Sequence, residues 1–576
     1  MRLHKFNENK SLTNLKLKQN INKNIKVFSI VLSVVILFVG IIYFTFARYE
    51  TTQEYNLIDK SVGDFSGDYK LAFYLDDVKQ SSIPSPNSNI SFSNITCNKG
   101  SATFDVGSWS ALISTNESDT RCKVYFVTNN NAWQLPGGVD LYDGMTPIKF
   151  VDGKIYKVSD TNQKWYDYNN HEWANAAILT ASGASKSETQ ELNLETDIYQ
   201  MYVWIPRYSY KIWEKTNNQS NEQMINIIFE SSTTHNALSG YVTHPSFTFG
   251  TTELNGFWVG KFETSSSTGI QTTANQLCSA EGCSTAANFR ILPNMISATN
   301  NNVFNMYNAS RTIESNSTFG LTASQVDTHM MKNTEWGAVA YLSQSRYGIF
   351  NYDETCANSS QAADSTCNVF INNVNVGYGN DSTHDVSFQW GPTVTGCSAA
   401  GANTGVSNTH NETNPTCASN YTWNTNGVLA STTGNMSGVY DMSGGAYEYV
   451  MGNMANSTTT YSYNAKSSGM TTQPEDKYLD HYLAAATDIS VMSNNNQSKV
   501  QNRGILGDAT SEVIKTYGSL TGGWNSDYAY FVSSLSPWFE RGGHADSGSS
   551  AGVFAFVRGT GGASTRISFR VVLSAE

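Results

Sequence analysis

With 576 residues, 39% of them hydrophobic, 12% aromatic and 15% charged, the chain has room for roughly three or four ordinary domains and fewer charges than the usual ~25% of a soluble one. Its 44 glycines against 11 prolines exclude a proline-rich spacer or a collagen-like rod. The net charge is −12; residues 1–26 hold seven basic residues and one acid (+6), which leaves −18 for the remainder, an acidic body that repels a phosphate backbone and excludes nucleic acid as a partner.

In chain order, the basic tail 1–26 is followed by a run without charge from Val27 to Ala47. As a helix this run spans about 31 Å, the thickness of a hydrocarbon core. Thr45-Phe46-Ala47 resembles a small-residue cleavage site. The basic region is long, however, and the apolar run exceeds the 7–15 residues of a signal-peptide core, so the reading is an uncleaved signal anchor. The positive-inside rule keeps the tail in the cytoplasm and places everything after Arg48 outside. The expectation is a single-pass type II protein of the cell membrane, displayed on a bacterial surface, with its tail also touching anionic lipid.

All eight cysteines (Cys97, Cys122, Cys278, Cys283, Cys356, Cys367, Cys397, Cys417) lie beyond that segment and come in sequence-local couples. Their even number fits disulfides of an oxidising compartment, with 97–122, 278–283, 356–367 and 397–417 as the proposed pairs, although sequence does not fix connectivity. Zinc would want C-x2-C couples or histidine partners, and neither is present.

Residues 48–130 open on a short linker and then alternate apolar and polar residues in YKLAFYLDDV (69–78), NISFSNITC (89–97) and CKVYFVT (122–128). This predicts a small β-sandwich serving as a stalk. Residues 131–576 form one long Gly- and aromatic-rich region with three polar tracts, 265–327, 353–436 and 456–501, read as surface loops tied down by disulfides. One helix is expected over Met331–Gly348, capped by Asn333 or Thr334, with Trp336, Val339, Ala340 and Leu342 near one face.

Four blocks then carry a family resemblance. LNGFWVGKFETS (254–265), NTEWGAVAYL (333–342), GVYDMSGGAYEYVMGN (438–453), and WFERGG (538–543) with SFRVVL (568–573) resemble, in order, the motifs of the formylglycine-generating-enzyme-like (sulfatase-modifying factor) family. The resemblance implies an irregular α+β fold of the C-type-lectin-like kind for 131–576. Tyr447 and Tyr449 stand where the family has tryptophan and are read as core or site-lining residues. The catalytic members carry a C-x4-C copper-binding pair after the RGG motif. Here the matching positions are Ser547 and Gly552, and no cysteine follows Cys417. The chain is therefore read as non-enzymatic and without copper. Asp441, Gly444, Ala446 and Glu448 match calcium-binding positions of the family, so a structural Ca2+ is implied; the alternative is that Glu448 accepts hydrogen bonds from the loop it closes.

The segment 541–570 interleaves two populations. Arg541, Gly542, Gly543, Gly552, Val553, Phe554, Phe556, Phe569 and Arg570 read as scaffold. His544, Ala545, Asp546, Ser547, Ser549, Ser550, Val557, Arg558, Thr560, Gly561, Ser564, Thr565, Arg566 and Ile567 can each be reached from an asparagine codon by changing only its adenines. Lys, Glu, Gln, Met and Trp cannot, and none occurs from 541 to 567. This pattern resembles the variable C-terminus of diversity-generating-retroelement target proteins. It makes those fourteen residues the expected ligand-binding set, facing an external protein or glycan. An enzyme of unconventional chemistry and a structural envelope component are the competing readings.

Overall fold

The computed structural model describes residues 134–576 apart from 163, 213–221, 236–239, 269–273, 351–367, 375–390, 400–416, 418–419, 458, 485–504 and 516–520; before residue 134 it describes the backbone of six strands. Among the described residues no helix is long and apolar enough to cross a membrane, and the 27–47 run lies outside them. The chain divides into two units, Met1–Pro136 with Ala237–Tyr241, and Gly137–Asn236 with Val242–Glu576.

In the first unit Tyr69–Leu75 pairs antiparallel with Val78–Lys79 and Cys122–Thr128. Trp109–Asn116 pairs antiparallel with Lys99–Val106 and parallel with Asn89–Ser91. The three alternating runs read from sequence each contain one of these strands, as the period-2 pattern requires.

The second unit is mostly β-sheet with few helices. Its larger sheet has seven antiparallel strands in the order Val326–Met330, Val571–Ala575, Gly256–Gly260, Ile198–Pro206, Asn175–Leu179, Met145–Val151 and Lys154–Lys157. The middle strands are covered on both sides, so Ile198–Pro206 reads as a nearly continuous apolar run with Met201, Val203, Trp204 and Ile205 fully buried. Sequence-distant segments close this sheet: the C-terminal strand lies between Gly256–Gly260 and Val326–Met330.

A second sheet holds the C-terminal segment. Tyr447–Met454 is central, parallel to both Asp480–Tyr482 and Ile567–Phe569 and antiparallel to Trp538–Arg541, which in turn pairs with Phe556–Gly559. The expected helix spans Asn333–Ser343, but all of its residues are buried, so there is no single apolar face. Its start also differs from expectation. Asp480 accepts from the Thr334 N–H (2.7 Å) and Glu335 reaches back to the Lys332 N–H (2.8 Å), so a tertiary contact supplies the cap that Asn333 and Thr334 were expected to give.

The first polar tract is no simple surface loop. It contains a helix, Val303–Thr312, whose Val303, Met306 and Ala309 are fully buried at helical spacing, with Asn302 accepting from the Asn305 N–H as its cap. The Cys278–Cys283 and Cys397–Cys417 disulfides are formed; the other two proposed pairs lie outside the described residues.

Candidate binding face of the C-terminal sheet

All nine scaffold positions of the 541–570 segment are buried. Arg570 explains how three of the four sequence blocks become one body. Its guanidinium binds Glu448 through Nε (3.1 Å) and a second nitrogen, and donates to the carbonyls of Gly260 (2.7 Å) and Tyr440 (2.9 Å). Arg541, also fully buried, lies over the rings of Trp336 and Phe556 and donates to the Ala509 carbonyl. Burial lowers its pKa to about 10, against the opposing pull of Asp508. Gly542 and Gly543 both take left-handed backbone conformations (φ 80° and 78°), and a Cβ on Gly543 would stand 2.6 Å from the Ala551 Cα.

The fourteen candidate ligand-binding residues divide by exposure. Ser549, Arg558 and Thr560 are exposed; Asp546, Ser547, Val557, Ser564, Thr565 and Arg566 are half-buried; His544, Ala545, Ser550, Gly561 and Ile567 are buried. Four of the buried five depart from a wholly exposed set for reasons the contacts make plain. His544 stacks on Tyr447 and its ring nitrogens meet the Asp546 carboxylate (2.6 Å) and the Gly391 carbonyl (3.3 Å). The Ala545 N–H donates to the Gly445 carbonyl, Gly561 turns against Trp538, and Ile567 lies in a strand paired with Tyr447. Three of the half-buried group gather around the same tyrosine: the Tyr447 hydroxyl meets the Ser547 hydroxyl (3.2 Å), its N–H donates to the Arg566 carbonyl, and Arg566 stands 4.0 Å from Asp546. Burial would raise the Asp546 pKa, but the His544 hydrogen bond and charge, with Arg566, outweigh it and leave it lowered.

Sequence reasoning named Tyr447 and Tyr449 as core or site-lining, and Tyr447 is half-buried while Tyr449 is 2% exposed. It passed over Glu540. Across three strands Tyr449, Glu540 and Val557 are register partners, so their side chains share one face of the sheet. Glu540 is 9% exposed, and burial raises its pKa to about 7, partly offset by Tyr449.

The implied calcium residues meet other partners. Asp441 is fully buried and accepts from the Gly396 N–H (2.9 Å) and the Asn372 amide (2.8 Å), and both Glu448 oxygens face Arg570. The Ala446 N–H donates to Glu263, a buried acid that sequence reasoning missed, and Gly444 and Gly445 are left-handed so that the backbone can pass Asn372 and Glu263. Among the described residues no three His, Cys, Asp or Glu side chains group as a metal would require. As placed, these oxygens do not form a hard cation's donor set, and Glu448 is held by Arg570 rather than by the loop N–H groups of the alternative; the acid that accepts from that loop is Glu263, at Ala446. The three carboxylates share one guanidinium, and burial raises the pKa of Glu263, Asp441 and Glu448. A cavity of about 20 Å³ beside Asp527, Gly552 and Val553 holds no more than a water molecule or so.

No family model matches the chain, and no curated protein matches it. The resemblance to the formylglycine-generating-enzyme-like family therefore finds no support beyond the motifs themselves. Among solved structures the chain is similar to three Major Tropism Determinant variants. The I1 and U1 variants are each 10% identical with a TM-score of 0.24, and the P3c variant is 11% identical with a TM-score of 0.23; in each case 84% of this chain and 82% of the other are covered. Superpositions this loose fix neither fold nor function.

Proposed function

We propose that the chain is a membrane-anchored, outward-facing binding protein that presents the 544–566 surface to an external ligand from a rigid, catalytically inactive C-type-lectin-like scaffold. One observation carries the reading: within thirty consecutive residues every scaffold position is buried, while nine of the fourteen adenine-accessible positions keep at least partial exposure. A segment built this way can change its exposed side chains at little stability cost, since surface substitutions away from special features usually fall within about 0.5 kcal/mol. Diversification by a retroelement would exploit that tolerance. A reverse transcriptase beside the gene, with a near-identical repeat differing at adenines, is the outcome this predicts on sequencing the locus. For binding itself, the full chain in detergent is panned against a phage-displayed random peptide library. Selected peptides should lose affinity when Arg558 and Thr560 become alanine, and keep it when the exposed Lys154, on the far edge strand of the larger sheet, is changed. Peptides indifferent to the 544–566 residues would refute the assignment of the face.

A further inference from the structure

A buried carboxylate ordinarily has a cationic or multi-donor partner, because leaving it alone in a low-dielectric site is costly. Glu448 has Arg570, Asp327 has Arg311, and Glu512 has the hydroxyls of Tyr210 and Tyr341. Glu540 breaks that pattern. Among the described residues it forms no ion pair, and the nearby Tyr449 hydroxyl donates to the Gly562 carbonyl (3.2 Å). Its site is nonetheless built around it: a Cβ on Gly559 would stand 2.1 Å from Glu540 Oε1 and 2.8 Å from the Tyr449 ring, so only glycine leaves room for the carboxylate there. The residue keeps a small window to solvent.

What surrounds that window is aromatic and acidic. Tyr447 lies two residues before Tyr449 on the same strand face, with its ring stacked on His544 and its hydroxyl against Ser547. Tyr528 and Tyr530 stand half-buried beside the Phe556–Gly559 strand, held by backbone hydrogen bonds on either side of Phe556. Two cations of this region lie elsewhere in the pattern: Arg566 is turned toward Asp546, and Arg558 is register partner to Phe539, on the opposite face of its strand from Val557. A buried carboxylate beside a tyrosine ring, with further tyrosines on the neighbouring strands, is the chemistry that holds an alkylammonium or guanidinium, by charge and by the ring quadrupole.

We propose that Glu540, with Tyr447, Tyr449 and Tyr528, is a subsite for one organic cation of the ligand, a lysine or arginine side chain. The proposal rests on the reading of the 544–566 surface as the binding site and names the chemistry of that ligand. Because Glu540 precedes the 541–570 segment and glutamate lies outside the adenine-accessible set, the subsite would be a constant anchor beneath a changeable rim.

The test uses the full chain in detergent, titrated with methylguanidinium and with n-butylammonium and read by thermal shift and by tyrosine fluorescence. Wild type should show a saturable rise in Tm that sodium at equal ionic strength does not reproduce. Glu540→Gln should weaken the effect at least tenfold, and Tyr528→Leu severalfold. Val557→Lys, placed opposite Glu540 in the register, should fill the subsite from within. It should raise the Tm of the free protein and abolish the response to both cations, and the Tm gain should vanish in the Val557→Lys/Glu540→Gln double variant. That cycle keeps the test decisive if Glu540→Gln alone folds poorly. Cation responses unchanged in Glu540→Gln, or a Val557→Lys gain that persists without Glu540, would overturn the subsite. The binding-face reading fails separately, through peptides indifferent to Arg558 and Thr560.

Discussion

Replacing Arg570 by methionine should cost the protein far more than any change on the neighbouring exposed loop. The guanidinium is fully buried and makes two bonds to Glu448 and one each to the carbonyls of Gly260 and Tyr440. Methionine fills much of the volume but supplies none of these donors, and it leaves Glu448 beside Asp441 and Glu263 with no guanidinium to share. Breaking a buried ion pair by removing one partner costs about 3–5 kcal/mol, a factor of some hundreds to thousands in the folding equilibrium. Arg558→Ala, twelve residues earlier and exposed, should change stability by less than about 0.5 kcal/mol. The loss should also depend on pH. An unpaired Glu448 folds more readily protonated, so its folded pKa lies further above its unfolded value. The penalty is then largest above the raised folded pKa and fades as pH falls from there toward the ordinary glutamate value, where it is gone. The double variant Arg570→Met/Glu448→Gln removes both charges and should recover a large part of the deficit. Urea denaturation followed by tryptophan fluorescence at pH 5 and pH 8 measures all four proteins. Equal losses for Arg570→Met and Arg558→Ala, or a double variant no better than the single, would refute the assignment of Arg570 as the residue that joins these sequence blocks.

Stability of the wild type should fall as pH rises from about 5 to 8. Burial lifts Glu512 and Glu540 to about 7, above their unfolded value, so each stabilises when protonated and loses that contribution as pH climbs through its folded pKa, by at most about 1.4 kcal/mol per pH unit per group; Glu512→Gln should flatten the slope of Tm against pH. Gly543→Ala should destabilise by about 1–3 kcal/mol, because it forces a side chain into a left-handed backbone 2.6 Å from Ala551, and thermal melts would register it. Reducing or removing Cys397–Cys417 should cost about 2–4 kcal/mol in urea titrations run with and without reductant. Calcium at the 441–448 turn would make Tm fall on chelation, whereas an unchanged Tm leaves Glu448 to Arg570 alone.

How much of this was legible in the sequence depended on whether a residue's partner was local. The Asn333–Ser343 helix announced itself, because the spacing of Trp336, Val339, Ala340 and Leu342 is a signal within a few residues; its cap did not, because Asp480 comes from almost 150 residues away. The Val303–Thr312 helix was hidden by its Asn, Ser and Thr content. Its Val303, Met306 and Ala309 spacing was the signal that could have found it, but buried Asn305, Asn308, Ser310 and Thr312 made the tract look like a surface loop. In the C-terminal segment the glycines and aromatics were correctly read as scaffold, since turns and core aromatics have compositional signatures. The burial of His544 and Ala545 was not legible, because it comes from Tyr447 and Gly445 on another strand. Glu540 was invisible for the same reason: a lone acid between Phe539 and Arg541 reads as a solvated residue until strand pairing sets it between Tyr449 and Val557.

The central claim is that residues 541–570 join a fixed scaffold to a changeable exposed face, and saturation mutagenesis of that segment tests it most directly. Each variant of the full chain is scored at the cell surface for protease resistance and for capture of a selected peptide. The account predicts that Arg541, Gly542, Gly543, Phe554, Phe556, Phe569 and Arg570 tolerate almost nothing. Asp546, Ser547, Ser549, Val557, Arg558, Thr560, Ser564, Thr565 and Arg566 should accept most residues without loss of folding while peptide capture changes. Loss of protease resistance at those nine positions, or free substitution along the scaffold, would contradict it.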